Sequence, residues 1–263
     1  MVIDFHTHCF PEKIAERAVN TLKYSAGGLI PRNDGSISGL LNNMKEDGVD
    51  ISVVMNIATN PRQQHSVNDF AREQNETEGI LAFGSVHPDA EDALCELERI
   101  KDMGLKGIKL HPEYQEFYAD DEKLIPLYKK ASSLGLIVLF HAGCDFGFGT
   151  PYHGMPENLV KALKYLDTPV VAAHWGGLTC HEEVLKHLAG LPIYFDTSFS
   201  HGIVAKPMIQ RIVEKHGTDK LLFGSDSPWH RPCEDKLLIE SLDLSDSDKE
   251  RIYYKNAVEL LKI

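Results

Sequence analysis

Residues 2–8 have the sequence Val2-Ile3-Asp4-Phe5-His6-Thr7-His8, a short apolar run followed by a His-Thr-His triplet. Runs of this length that are rich in β-branched and aromatic side chains are typical of strands buried on both faces of a parallel sheet. An open doubly wound sheet would be expected to carry a Gly-rich phosphate-binding turn after its first strand. Two histidines stand at that place here, so the segment favours a barrel over a doubly wound sheet.

Further apolar runs follow along the chain, and amphipathic segments alternate with them. The runs are Ile51–Ile57, Ile80–Val86, Gly107–Leu110, Leu136–Phe140, Val170–Ala173, Ile193–Phe195 and Leu221–Phe223. The predicted helices include Asp89–Met103, Asp121–Leu134, Pro156–Leu166, His181–Leu188, Pro207–His216 and Ser245–Leu261. No linker or low-complexity segment interrupts this alternation. We therefore predict an α/β fold, a (β/α)8 TIM barrel that forms a single domain over residues 1–263.

The composition excludes several classes of partner. The 263 residues carry 27 Lys and Arg against 39 Asp and Glu, a formal net charge of −12. Nucleic acids and anionic membranes require basic patches, so we expect neither as a partner. The five cysteines form no Cys-x-x-Cys pair, and no signal peptide or membrane-spanning run is recognisable, which fits the reducing cytoplasm. We expect a cytoplasmic enzyme with a small-molecule substrate and consider a homodimer the reasonable oligomer.

Histidines and carboxylates follow the predicted strands at the end where barrel enzymes form their active sites. His6 and His8 follow the first strand on one face, because strand side chains alternate with a period of two. His141, His174 and Asp226 follow the fifth, sixth and eighth strands. Three of these histidines together with the carboxylate would suit a catalytic Zn²⁺ or a similar divalent ion, which would lower the pKa of a bound water to ~7. Asp226 and His174 are the predicted catalytic residues, with proton transfer as their role.

Several of these segments carry a recognisable pattern: Ile3-Asp4-Phe5-His6-Thr7-His8, Gly107-Ile108-Lys109-Leu110-His111-Pro112, Val171-Ala172-Ala173-His174-Trp175-Gly176-Gly177, Leu222-Phe223-Gly224-Ser225-Asp226-Ser227-Pro228 and Asn256-Ala257-Val258-Glu259-Leu260-Leu261. In this order they resemble the amidohydrolase superfamily, and more narrowly its amidohydrolase-2 branch of TIM-barrel metal-dependent hydrolases and decarboxylases. The resemblance implies that the metal ligands are His6, His8, His141 and Asp226. It also implies that His174 lies near the metal as an acid, base or polarising group. We expect one ion per chain, Zn²⁺ first, with a second ion as the alternative.

The remaining pocket residues are less sharply indicated. Many superfamily members bridge two metals with a carboxylated lysine near the position of Lys109. In this branch the similar Gly-x-Lys-x-His-Pro usually accompanies one metal, so we expect an ammonium paired with a carboxylate such as Asp196. Glu113 is an alternative ligand for a second ion. The segments 9–35 and 143–155 are expected to be long loops that wall the site. The candidate substrate-binding residues are Lys109, His111, Tyr114 and Arg231.

The leading functional hypothesis is a metal-dependent hydrolase that cleaves an amide, lactone or related ester bond in a small polar molecule. The alternative is a metal-dependent decarboxylase of a carboxylated aromatic or unsaturated acid, which arginines such as Arg32 or Arg231 in the pocket would favour. A third hypothesis is a metal-binding module without turnover. It is disfavoured because every ligand position and both proton-transfer residues are present.

Overall fold

The computed structural model describes residues 1–25 and 28–263, and its parallel strands follow one another around a closed barrel. In chain order the strands are β1 (Ile3–Thr7), β2 (Ile51–Met55), β3 (Ile80–Phe83), β4 (Gly107–Leu110), β5 (Ile137–Phe140), β6 (Val170–Ala172), β7 (Tyr194–Asp196) and β8 (Leu221–Leu222). β1 to β3 pair as one parallel sheet and β4 to β8 as another. The order in space is therefore the order in sequence.

Two seams join these sheets into the barrel. At the first, the Gly84 N–H donates to the Gly107 carbonyl (2.9 Å) and the Lys109 N–H donates to the Gly84 carbonyl (2.8 Å). At the second, the Phe5 N–H donates to the Phe223 carbonyl (2.7 Å), and the His8 N–H donates to the Ser227 carbonyl (2.6 Å). The (β/α)8 barrel predicted from the sequence is thus confirmed, and the carboxyl ends of its strands meet at one mouth.

The helices surround the barrel as α1 (Ala15–Ser25), α2 (Ile37–Asp47), α3 (Gln64–Gln74), α4 (Ala93–Asp102), α5 (Ile125–Ser133), α6 (Pro156–Ala162), α7 (His181–His187), α8 (Lys206–His216), α9 (Pro232–Ser241), α10 (Asp246–Glu250) and α11 (Asn256–Leu261). Helix α2 begins where Ser36 accepts a hydrogen bond from the Gly39 N–H, and it ends at Gly48, whose φ of 63° suits glycine. Among the described residues, no helix is long and apolar enough to cross a membrane.

Two segments differ from the sequence prediction. The expected loop 9–35 contains helix α1, and residues 26 and 27 of that segment lie outside the described residues. The expected helix Ser245–Leu261 is divided, because a π-helical turn at Arg251–Lys255 separates α10 from α11. The carbonyl of Ile252 in this turn accepts a hydrogen bond from the Phe223 N–H (2.9 Å). The wider turn thus frees a helix carbonyl to bind the chain just after β8.

The barrel interior is packed with apolar side chains below its mouth. Its cluster includes Phe5, Phe83 and Leu139, together with Leu261 from α11. Phe5 and Phe83 meet edge to face, with ring centroids 5.8 Å apart. A second, larger cluster fills the layer between the strands and the surrounding helices. The polar side chains at the strand ends therefore rest on a tightly packed apolar core, which fixes their positions.

Candidate active site

Three side chains at the mouth bring their donor atoms together. His6 Nε2 lies 3.2 Å from His8 Nε2, and Asp226 Oδ1 lies 3.1 Å from His8 Nε2 and 3.5 Å from His6 Nε2. The register of β1 against β2 shifts between Asp4 and Thr7, and such a bulge re-aims the side chains that follow it. Asp226 has a positive φ of 66°, and its N–H donates to the His6 carbonyl (2.7 Å). These backbone contacts bring the strand ends of β1 and β8 together.

The partners of His6 and His8 determine which ring nitrogens carry protons. His8 Nδ1 lies 2.8 Å from the Met55 carbonyl, which only accepts hydrogen bonds, so Nδ1 carries the proton. His6 Nδ1 donates in the same way to Asp196 Oδ2 (2.8 Å). Burial, together with the nearby Lys109 ammonium, lowers the pKa of His6 to about 4, so this imidazole is neutral at pH 7. Both Nε2 atoms therefore present lone pairs beside the Asp226 carboxylate, an arrangement that a cation stabilises.

A chain of hydrogen bonds sets the orientation of His141. The Ser198 hydroxyl donates to Asp196 Oδ1 (2.5 Å) and accepts from His174 Nδ1 (2.9 Å). His174 Nε2 then accepts from His141 Nδ1 (3.2 Å). His141 is 5 % exposed, and its Nε2 has no hydrogen-bond partner within the described part of the chain. A buried, unpaired nitrogen lone pair suits a metal ligand. The donor atoms of His6, His8 and Asp226 lie within 4.8 Å of one another and fit a divalent ion, whereas the donor atom of His141 lies in a neighbouring group with those of His111 and Asp145.

The same chain of hydrogen bonds, from Ser198 through His174 to His141, also bears on the role predicted for His174. Both of its ring nitrogens are engaged, one by Ser198 and one by His141. Its backbone has a positive φ of 58°, and its N–H donates to Asp196 Oδ1 (3.0 Å). This geometry favours a role for His174 in positioning His141 over direct proton transfer to a substrate.

His111 and Asp145 form a second polar pair beside His141. The rings of His111 and His141 stack with centroids 4.1 Å apart. The Tyr114 N–H donates to His111 Nδ1 (3.3 Å), so the neutral ring carries its proton on Nε2, which lies 3.4 Å from Asp145 Oδ2. Asp145 Oδ2 is also 3.9 Å from His141 Nε2. The pair thus places a carboxylate at the edge of the proposed metal site, and His111 itself presents no lone pair there.

Lys109, in β4, lies among these polar side chains, which together form the floor of the site. Its Nζ is buried and lies 3.2 Å from His6 Nε2. The pairing with Asp196 expected from the sequence is not formed, because that carboxylate is hydrogen-bonded by His6 and Ser198. Burial lowers the pKa of Lys109 to about 8, although Asp196 and other carboxylates oppose the shift. The ammonium is still charged at pH 7, yet it gives up its proton more readily than an exposed lysine.

Asp226 keeps its charge for a related reason. Burial alone would raise the pKa of this carboxyl, but the neighbouring His8 and His6 lower it to about 2. The side chain is 13 % exposed towards the cavity. Asp226 is therefore an ionised carboxylate at neutral pH, able to bind a cation or accept a proton.

A cavity of about 760 Å³ opens above these residues. Its floor includes Lys109, and the predicted pocket residues His111 and Tyr114 also line it. The two segments expected to wall the site contribute lining residues, with Phe10 from the first and Phe146 from the second. Most of the remaining wall is apolar or aromatic: Ile14, Leu22, Leu29, Met55, Ile57, Val67, Phe70, Leu178, Phe199 and Trp229. The site therefore combines a charged floor with an apolar chamber, as ligand-binding cavities commonly do.

Arg231 lies away from this cavity, against the sequence prediction that it binds substrate. Its guanidinium donates to both carboxylate oxygens of Asp47 (3.0 and 2.6 Å) and to Glu46 (2.8 Å) at the end of α2. Arg32 is similarly engaged by Glu234. Neither arginine lines the cavity, because the guanidinium of each is already bound to a carboxylate of the protein itself.

Other residues took roles that the sequence did not assign to them. Glu113, considered for a second ion, instead accepts from the His153 N–H (2.6 Å) and pairs with His153 Nδ1. Ser198 and Asp145 were not recognised as site residues. The spacing of Asp196 and Ser198 repeats that of His6 and His8, two residues apart at a strand end, and this was the available signal.

Comparisons with known proteins identify the family of the chain. A family model described as amidohydrolase, that of the amidohydrolase-2 family, matches residues 3–263. No curated protein matches the chain in sequence. Among solved structures, an uncharacterised TIM-barrel protein from Bordetella bronchiseptica is 18% identical with a TM-score of 0.78, covering 99% of this chain and 98% of that one.

Several of the similar structures are described as decarboxylases, and two of them serve as examples. The 5-carboxyvanillate decarboxylase from Sphingomonas paucimobilis is 16% identical with a TM-score of 0.73, over 100% of this chain and 99% of that one. A dihydroxybenzoic acid decarboxylase from Polaromonas, solved with bound manganese, is 16% identical with a TM-score of 0.72, over 99% and 96%. At these identities the structural likeness establishes the shared barrel fold. Together with the family model that spans almost its whole length, it shows that this chain belongs to the amidohydrolase-2 family of metal-dependent TIM-barrel enzymes.

Proposed function

We propose that this enzyme decarboxylates a small carboxylated aromatic or unsaturated acid. The observation that carries the proposal is the apolar, aromatic chamber above a floor with a buried ammonium, Lys109. A flat unsaturated ring suits such walls, and a carboxylate suits the ammonium. The small polar substrate expected for a hydrolase matches the apolar walls less well. The decarboxylases of similar fold are consistent with the proposal.

The residues at the bottom of the cavity have different roles in this reaction. His6, His8, His141 and Asp226 would hold a divalent ion, which when bound orients an anionic substrate and offsets its charge. Tyr114 and Phe146 lie on the cavity wall, where they can hold the substrate ring.

Lys109 is the group that we assign to proton delivery. As the bond between the ring carbon and the carboxylate breaks, CO₂ leaves and the bonding electron pair stays on the carbon. That carbon must then receive a proton. The Lys109 ammonium holds one at pH 7, and its pKa, lowered to about 8 by burial, eases the transfer.

Hydrolysis of an amide, lactone or related ester is the second candidate. It is favoured by the position of Asp226, an ionised carboxylate beside His6 and His8 that can accept a proton from water. The two reactions make opposite demands, since decarboxylation needs a proton donor near the substrate carbon and hydrolysis needs an acceptor near water.

The test uses the metal-reconstituted protein in D₂O with a panel of benzoic acids, unsaturated acids, lactones and amides. Decarboxylation predicts release of CO₂ from a ¹³C-carboxyl label and one deuterium on the product carbon. Turnover of lactones or amides alone, with no labelled CO₂, would contradict the proposal and favour hydrolysis.

A matched pair of lysine variants tests the role of Lys109. Lys109→Gln should lower the rate of CO₂ release by about 10²-fold or more while metal content is retained. Lys106→Gln is the control, because Lys106 precedes the same strand but contacts the Leu261 carbonyl at the opposite end of the barrel. Full activity of the Lys109 variant would refute its assignment.

A further inference from the structure

The cavity extends beyond the proposed metal ligands into the space between α1 and α3. Ile14, Ala18 and Leu22 line it from the side of α1. These residues are spaced four apart, and the Ala18 N–H donates to the Ile14 carbonyl (2.8 Å), so they form one row about 12 Å long on the helix. Val67 and Phe70 line the cavity from α3. We call this part of the cavity the side chamber.

Helix α3 carries polar residues on its buried side and apolar residues on the side of the cavity. Its completely buried residues include Gln64, Asn68 and Gln74. Their amide groups are hydrogen-bonded to other parts of the protein. Val67 and Phe70, in contrast, are only half-buried. Because a surface helix ordinarily turns its apolar residues towards the core, this reversed order leaves an apolar helix surface that faces the cavity.

Helix α1 covers this apolar surface of α3 without filling the space between them. Within residues 15–24 of α1, the buried side chains are Ala15 and Val19. Val19 packs closely against Gly35, where an added Cβ would clash with it. Ala18 and Leu22 are half-buried and line the cavity instead. The side chamber therefore lies between two helix surfaces that are both apolar.

The size and continuity of the cavity indicate a ligand longer than one ring. The whole cavity measures about 760 Å³, within the range of about 300–1,000 Å³ that holds drug-sized ligands. Its lining also includes His6, His8 and Asp226, so a ligand held at these residues can extend into the side chamber. Arg17 and Thr21 line the cavity from α1 and are exposed, so the side chamber opens to solvent there.

We propose that the substrate carries an apolar chain of several carbon atoms, which lies in the side chamber while the carboxylate of the substrate lies near Lys109. The inference rests on the function proposed above and specifies its substrate class: an aromatic or unsaturated acid with an alkyl substituent. Each methylene of such a chain passes between apolar side chains of α1 and of α3. Its transfer from water to this space favours binding, and a longer chain therefore binds more tightly.

The test measures binding and does not require turnover. The metal-loaded protein is titrated by isothermal calorimetry with benzoates that carry a methyl, ethyl, propyl or butyl group at the 4-position. The same groups at the 3-position form a second series, because the orientation of the ring decides which position faces the side chamber. In at least one series we expect Kd to fall about two- to fourfold for each added methylene, and about tenfold or more from methyl to butyl.

Two variants that fill the side chamber show where the chain binds. Ala18→Phe and Val67→Phe each place a ring in it, one from α1 and one from α3. Each should reduce the gain in affinity from methyl to butyl to about twofold or less. Asn20→Phe is the matched control, because Asn20 is an exposed residue of α1 that does not line the cavity, and it should keep the full gain. Circular dichroism confirms that each variant is folded.

The outcomes separate this inference from the proposed reaction. A Kd that does not depend on chain length in either series, or no binding of any benzoate, would overturn the inference. A gain in affinity that persists in both filled variants would also overturn it, because the chain would then bind elsewhere. The decarboxylation itself is decided by the labelled CO₂ of the earlier test, so one proposal can fail while the other holds.

Discussion

Removing the Ser198 hydroxyl should weaken metal binding without touching a metal ligand. This hydroxyl donates to Asp196 Oδ1 (2.5 Å), accepts from His174 Nδ1 (2.9 Å) and lies 3.1 Å from His6 Nδ1. In Ser198→Ala, the nearest remaining acceptor for His174 Nδ1 is the carbonyl of residue 198 at 3.4 Å. His174 then holds the His141 ring less firmly, and His141 can adopt tautomers and orientations that do not face the cavity.

The magnitude follows from comparable positions around metal sites. Loss of a hydrogen-bond partner behind a ligand typically costs 10- to 100-fold in metal affinity, about 1.4–2.8 kcal/mol. We therefore expect the Kd of Ser198→Ala for Zn²⁺ or Mn²⁺ to rise by about that factor. Isothermal titration of the metal-free protein measures it, with a competing chelator if binding is tight.

Ser200→Ala is the matched control for this experiment. Ser200 is a buried serine two residues away, but its hydroxyl donates to the Thr197 carbonyl and to Asp235, and it has no contact with a histidine of the site. Both variants lose one buried hydroxyl, so a merely structural effect would appear in both. The proposed effect of Ser198 on His141, transmitted through His174, would be refuted if Ser198→Ala bound metal as tightly as the wild type. Equal losses of metal affinity in the two variants would also refute it.

Three further predictions concern the cavity, the fold and its pH dependence. Phe146→Ala should raise KM for an aromatic acid by about three- to tenfold, because the substrate loses its contact with a partly exposed ring of the cavity wall, about 0.5–1.5 kcal/mol. Steady-state kinetics on the substrate identified by the decarboxylation screen measure this change. An unchanged KM would contradict the prediction. Arg231→Ala should leave KM within about twofold but lower the free energy of unfolding by about 1–2 kcal/mol, since Asp47 loses its charged partner. Urea denaturation measures the stability and steady-state kinetics measure KM. A raised KM with unchanged stability would indicate that Arg231 binds substrate instead. Burial opposes protonation of His230, but its hydrogen bond to Asp235 (3.1 Å) raises the pKa of His230 above its usual 6.5. The pair therefore stabilises the fold fully below pH 6.5 and progressively less as the pH rises through the raised value. His230→Gln should lower the urea midpoint of the metal-free protein at about pH 6 more than at about pH 8.5, and an equal loss at both would contradict this assignment.

The sequence predicted the barrel because its strands are short apolar runs separated by amphipathic helices. It did not predict how the barrel closes. Gly84 lies one residue beyond β3, and yet it provides the hydrogen bonds that join β3 to β4. Helix α1 was also missed, because segment 9–35 contains proline and several glycines that read as a loop.

The site was predictable where residue type and strand position coincide. His6, His8 and Asp226 combine metal-binding side chains with positions at strand ends, and the structure brings them together. Ser198 carries only a weak signal, its spacing of two residues from Asp196. Its role depends on the fold, because β7 pairs with β6 and the Ser198 hydroxyl reaches both His6 and His174 at the barrel mouth. The case of Arg231 is similar, since Asp47 lies 184 residues away in sequence and only the fold reveals that it occupies the guanidinium.

A crystal structure of the protein grown with Mn²⁺ or Zn²⁺, with anomalous scattering recorded at the metal edge, tests the central assignment most directly. We expect one strong peak bound by His6 Nε2, His8 Nε2, His141 Nε2 and an Asp226 oxygen, with His174 outside the coordination sphere and hydrogen-bonded to His141. A peak bound by His174, or no peak at the barrel mouth under saturating metal, would contradict it.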